Sequence, residues 1–373
     1  MIGPSEEATG ETVLVVTPGA SDAAPEASVP PPVRPGPPTI TRPGAVKAGV
    51  LVLTLAALAV AVLLSLSVGS NPIPVGRAWE LLRHPDGSMD ATVVHGLRVP
   101  RTLLGIVVGA ALGVAGGLMQ SLTRNPLADP GILGVNAGAS IAVVLVVALT
   151  GVSGIGFYLW FAFAGAALAS VAVYALGTSH RNAATPVRLA LAGVAISAAL
   201  QALTQTIILG DQTAYNEFRY WVSGSLEGRL YPILSMITPF VLAGLVVALL
   251  LAPALNALAL GEETGRALGV RVGLTRAGTM AAITLLCGAA TAAVGPVAFV
   301  GLAVPFLARR LVGSDQRWVI AFSVLLGPVW LLAADVLARV LVRPEELPAG
   351  IIAALIGAPV FVLIVRRRTI AAL

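Results

Sequence analysis

Ten stretches of this chain, at residues 46–68, 102–122, 131–150, 154–176, 187–209, 233–256, 277–294, 297–308, 318–338 and 349–365, are apolar along nearly their whole length. No soluble core absorbs so much. Only 11% of the 373 residues are charged, against about 25% in an ordinary soluble domain. Most of the runs match the length a helix needs to cross about 30 Å of hydrocarbon, where backbone polar groups must be bonded within the chain. The pattern predicts an all-α polytopic membrane protein with ten transmembrane helices. The eighth run is short: its 12 residues would span only about 18 Å as a helix, and Gly295-Pro296 interrupts the chain just before it.

Arginine placement supports the count. With ten crossings and a cytoplasmic N-terminus, Arg124, Arg181, Arg188, Arg266, Arg271, Arg276, Arg309, Arg310, Arg317 and Arg366 to Arg368 fall inside. Arg34, Arg42 and Lys47 raise the total to 15 of 23 basic residues, as the positive-inside rule requires. Fusing 277–308 into one span would throw the later arginines outside. Residues 1–45 hold ten of the 26 prolines and five acidic residues, with little apolar pattern. They read as a disordered cytoplasmic tail, leaving 46–373 as the membrane domain.

Several chemistries are disfavoured. A P-loop needs a lysine after a glycine-rich turn, and the single lysine, Lys47, has none. The lone cysteine, Cys287, can form no intrachain disulfide. His84, His95 and His180 are too far apart in the chain to make a local metal cluster, so no metal site is assigned. The scattered arginines form no nucleic-acid patch.

Between the second and third runs lies a polar knot, "RNPLADPGILG" at 124–134. Its prolines stop helices, while Asn125 and Asp129 can bond the freed backbone groups. In the second run Gly105, Gly109, Gly113 and Gly117 recur every fourth residue, a stripe that lets a neighbouring helix approach backbone to backbone. The loop 257–276 has the makings of a two-turn helix at about 262–268. Gly261 can start it, Glu262 and Glu263 suit its positive end, Arg266 suits its last turn and Gly269 can close it. Ser197, Gln201, Thr204 and Gln205 share a face of the fifth span and must turn toward protein or water rather than lipid.

The segment "LRVPRTLLGIVVGAALGVAGGLMQSLTRNPLADPGILGVNAGAS" (97–140) resembles the FecCD family, the permease subunits of iron-siderophore and cobalamin ABC importers. So do "LALGEETGRALGV" (258–270), "AVGPVAFVGLAVPFLARRLVGSDQR" (293–317) and "LLAADVLARVLVRPEELPAGIIAALIGAPVFVLIV" (331–365). The resemblance implies a type II ABC importer permease with ten helices in a bacterial inner membrane, both termini cytoplasmic. It implies a second permease subunit as partner, two ATPase subunits that bind ATP and Mg, an extracytoplasmic substrate-binding protein, and no cofactor or catalytic residue on this chain. By the same resemblance Glu262, Glu263, Arg266, Leu268 and Gly269 form the ATPase-coupling helix. Arg98, Arg101 and Arg339 dock the binding protein, and Ser197, Gln201, Thr204 and Gln205 line the translocation path. The chain departs from the family pattern at Phe306 and Gln316, where histidines are usual, and at Gly265, where alanine is commoner.

The function expected is alternating-access import of a ferric siderophore. Cobalamin and haem are alternative cargoes. A rival of another class is an ion-driven secondary transporter using Asp335, the one acid inside a span; a non-transporting membrane receptor is a third. Against the ion-driven rival, Arg339 lies four residues beyond Asp335, the spacing of a helical ion pair.

Overall fold

The computed structural model describes residues 43–178 and 186–366. The tail expected over 1–45 lies outside them as far as residue 42, as do Arg34, Arg42, His180, Arg181, Arg367 and Arg368. The described residues are helical, with no strand among them. In chain order the helices are α1 (Gly44–Ser67), α2 (Val75–Arg83), α3 (Met89–Val93), α4 (Val99–Thr123), α5 (Val135–Thr150), α6 (Ile155–Thr178), α7 (Pro186–Gly210), α8 (Gln212–Val222), α9 (Tyr231–Ala259), α10 (Glu262–Ala267), α11 (Val272–Val294), α12 (Val300–Val312), α13 (Gln316–Leu341) and α14 (Ala349–Arg366). The ten apolar runs correspond in order to α1, α4, α5, α6, α7, α9, α11, α12, α13 and α14. Seven helices, counting α3 and α4 as one, are long and apolar enough to cross a membrane alone. The others are shorter.

The short ones are explained by what precedes them. α5 has 16 residues and α12 has 13, reaching about 24 Å and 20 Å. Each follows an irregular stretch that is partly buried, at Ala128, Pro130 and Leu133 before α5 and at Gly295 before α12. Before α12, Gly295 (φ 81°) and Phe299 (φ 68°) turn the chain in the left-handed region, so 277–308 is two helices and not one. Before α5 comes the knot. It is no loose loop: Ala128 and Leu133 are buried, Leu127 N–H donates to Asn125 Oδ1 at 2.9 Å, and Gly131 N–H donates to Asp129 Oδ1 at 2.8 Å.

α4 sits at the centre, buried along most of its length against α13, α11, α12 and α9. The glycine stripe faces α13. A Cβ at Gly109 would fall 2.6 Å from the backbone nitrogen of Pro328, and one at Gly105 would fall 2.7 Å from a Leu332 methyl. The tightest approach on α4 is off the stripe, at Gly116, where a Cβ would lie 1.8 Å from the Gly301 carbonyl oxygen at the start of α12. Gly117 has nothing nearer than 3.5 Å.

Hydrogen bonds gather the basic helix ends. Arg124 after α4 donates to the Leu258 carbonyl of α9 at 2.8 Å, and Arg276 of α11 pairs with Glu262 of α10. Asn256 of α9 bonds Asp315 at 2.7 Å and accepts from the Gln316 N–H at 2.8 Å. At the opposite end stand α2, α3, the C-terminus of α1 and the start of α9, where the Tyr231 hydroxyl donates to the His95 carbonyl at 3.4 Å.

Candidate coupling, translocation and outer-face sites

At the basic end, α10 is a compact helix with both ends closed. Gly261 (φ 117°) opens it, and Gly269 (φ 84°) ends it. Val270 N–H reaches the Gly265 carbonyl and Gly269 N–H the Arg266 carbonyl, both at 2.9 Å, the paired bonds of a Schellman stop. Glu262 anchors it, pairing with Arg276 of α11 and, at 3.5 Å, with Arg266. Glu263, Arg266, Leu268 and Gly269 are exposed. Leu268 presents an apolar side chain, 61% exposed, at the end of a charged helix. Arg276 was invisible in the sequence as part of this site, because Glu262 lies 14 residues away and on another element.

Two of the three departures from the family pattern, Phe306 and Gln316, lie on the successive helices α12 and α13. The Arg310 guanidinium lies 5.3 Å over the Phe306 ring, a cation–π contact. Gln316 is buried at the start of α13, its backbone held by Asn256. Neighbouring Arg309 bonds Gln120 of α4, whose amide donates to the Leu302 carbonyl at 3.2 Å. This α4–α12 link carries no sequence signal, since its members stand 189 residues apart.

The polar face of α7 is divided. Gln201 and Gln205 are exposed and Ser197 is half-buried. Thr204 is buried, and its hydroxyl donates to its own helix at the Leu200 carbonyl, 2.8 Å away. Ser197 stands beside the knot, its Oγ 3.6 Å from a Cβ position at Gly134.

At the opposite end Arg98, Arg101 and Arg339 come together, but their donors are turned into the chain. Arg98 Nη1 donates to the Leu66 and Ser67 carbonyls, both at 2.8 Å, and its Nη2 bonds the Asn71 carbonyl. Arg339 Nη1 donates to the Ser65 carbonyl at 2.7 Å and to that of Val68 at 3.1 Å. These are carbonyls that the end of a helix leaves without partners, so two arginines cap α1 from neighbouring segments. Asp335, fully buried, is gripped by Arg101 at 2.7 Å and by Arg339 one turn on. Glu346 completes the group, 2.6 Å from Arg101 Nη1. The arginines expected to dock a binding protein are largely enclosed within this chain: Arg98 and Arg339 are buried and Arg101 is only 12% exposed. The Asp335–Arg339 pair was legible; Glu346 and the α1 carbonyls were not. Asp335 faces two guanidiniums and has no free oxygen turned to a path, which removes the ground for an ion-driven carrier at this position.

The model of the FecCD transport family matches residues 57–367. The chain is 49% identical over 313 residues to the ferric enterobactin transport system permease protein FepD of Escherichia coli, covering 84% of this chain and 93% of that one. It is 38% identical over 281 residues to the cobalamin import system permease protein BtuC of Halobacterium salinarum, covering 75% of each. Among solved structures it is similar to a metal-chelate type ABC transporter in an inward-facing conformation, with a TM-score of 0.74 at 26% identity over 85% of this chain and 99% of that one.

Proposed function

The chain belongs to the FecCD transport family, and on that premise we propose that it carries a ferric siderophore inward as the permease subunit of an ABC importer. The observation that carries the reading is α10: a short, doubly closed helix at the basic end, anchored through Glu262 and offering Glu263, Arg266 and Leu268 outward. A chain without a P-loop needs an outside motor. A rigid exposed helix is the means to receive its stroke.

Partners follow from the same logic. Two ATPase subunits binding ATP and Mg meet α10, the positive-inside rule puts that end in the cytoplasm, and a binding protein delivers cargo opposite. A second permease covers the exposed face of α7, where Leu209 follows Gln201 and Gln205 at four-residue spacing. Between the two copies, Gln201, Gln205 and Ser197 would line the path with neutral amides and a hydroxyl. Such groups hold a large chelate weakly enough to let it go.

Two measurements test this. Cells lacking the chain should lose uptake of a labelled ferric tris-catecholate and recover it with the wild-type chain; unchanged uptake, in the absence of a redundant system, overturns the proposal, and loss of cobalamin uptake instead transfers it to the rival cargo. Leu268→Glu should leave the folded chain intact, because the side chain is exposed, yet weaken co-purification with the ATPase by about tenfold, the effect of about 1.4 kcal/mol at an interface. Undiminished co-purification would remove Leu268 from the contact.

A further inference from the structure

The knot at 124–134 makes contacts at both ends that a simple turn does not require. Arg124 caps α4 in the left-handed region (φ 51°), and Nη2 of its exposed side chain donates to the Leu258 carbonyl at 2.8 Å. Leu258 is in the last turn of α9, where a cation is favoured. The same residue supports α10, for a Cβ at Gly265 would lie 2.9 Å from Leu258 Cδ2. One leucine thus touches α10 with its side chain and the knot with its carbonyl. At the other end of the knot the Ile132 carbonyl lies against Gly193 of α7, 1.8 Å from where a Cβ would stand. Gly134 adjoins Ser197 on the same helix.

Between those ends the knot is stiff. Pro126 and Pro130 fix their φ angles, and bonds run Asn125 N–H to the Gln120 carbonyl, Ala128 N–H to the Asn125 carbonyl, and Ile132 N–H to the Asp129 carbonyl, each at 3.1 Å. α7 itself packs on α5, α6, α8 and the short turn Pro130–Leu133. A displacement of the α9–α10 corner therefore has a short route to the polar face of α7, through Leu258, Arg124 and the knot.

We infer that Arg124 is a positioning residue for transport, the link through which movement of α10 is delivered to α7. The inference rests on the permease reading above. It does not rest on Arg124 touching cargo or nucleotide.

The test uses the full importer, with its ATPase, second permease and binding protein, in proteoliposomes, and measures ferric chelate moved per ATP hydrolysed. Arg124→Gln should lower that ratio about fivefold or more, the scale of a typical coupling free energy, while ATP turnover stays within about twofold. Arg124→Lys, a cation on a long stem, should recover part of it. A merely structural role would lower both activities together, with reduced thermal stability, and that result overturns the inference. So does a ratio equal to wild type in Arg124→Gln. If the wild-type complex moves no chelate at all, the permease reading itself has failed, which is a separate and distinguishable outcome.

Discussion

Asp335→Ala is expected to destabilise the folded chain by about 3–5 kcal/mol, the usual cost of leaving buried charges without their partner. The carboxylate is fully buried and neutralises Arg101 and Arg339 together. Removing it strands the Arg339 guanidinium, which also holds the end of α1, and leaves Arg101 with Glu346 as its one acidic partner. Thermal unfolding in detergent reads the loss directly. Asp335→Asn should fall between wild type and alanine, because an amide still accepts hydrogen bonds but cancels no charge. If Asp335→Asn were as stable as wild type and yet abolished uptake, the carboxyl would be a proton carrier and its structural role would be refuted.

Two adjacent glycines should behave oppositely. Gly116→Ala drives a methyl into the Gly301 carbonyl, 1.8 Å away, and neither backbone can yield cheaply. The expected loss is about 1–3 kcal/mol or more, the range for overpacking. Gly117→Ala meets Pro305 only at 3.5 Å, an ordinary contact, and gains helix propensity worth about 0.5–1 kcal/mol. Unfolding temperatures of the two variants, measured side by side, decide it. A Gly116→Ala variant as stable as Gly117→Ala would mean that α4 and α12 are not in contact at this point.

The Gly116 case also marks how far the sequence was legible. Hydrophobicity is a bulk property of a run, so the ten segments and the all-α class could be read without knowing any neighbour. The four-residue stripe was legible because periodicity is local, and it faces α13 at Gly105 and Gly109. Which glycine on α4 is most crowded depends on where α12 lies, and no period encodes that. The same limit governs the arginines. Arg339 could be paired with Asp335 since one helical turn separates them. That Arg98 and Arg339 bind carbonyls of α1 could not be foreseen, because a backbone acceptor has no letter of its own. α10 was legible from its glycines and charges; its anchor on Arg276 was not. The bond that Thr204 makes to its own helix was not legible either, for residue type alone does not say whether a hydroxyl turns to its backbone or to a neighbour.

The capping of α1 sets a schedule for making the protein. The Ser65 carbonyl waits for Arg339, a residue 274 positions later in the chain. At about 5–20 residues per second of synthesis the interval is roughly 15–55 s. Throughout that time the Ser65 carbonyl must be held by lipid headgroups, by water or by the insertion machinery, while Arg98, only 31 positions beyond Ser67, can already bond the carbonyls of Leu66 and Ser67. A chain cut short before α13 would keep α1 but not the arginine that finishes it.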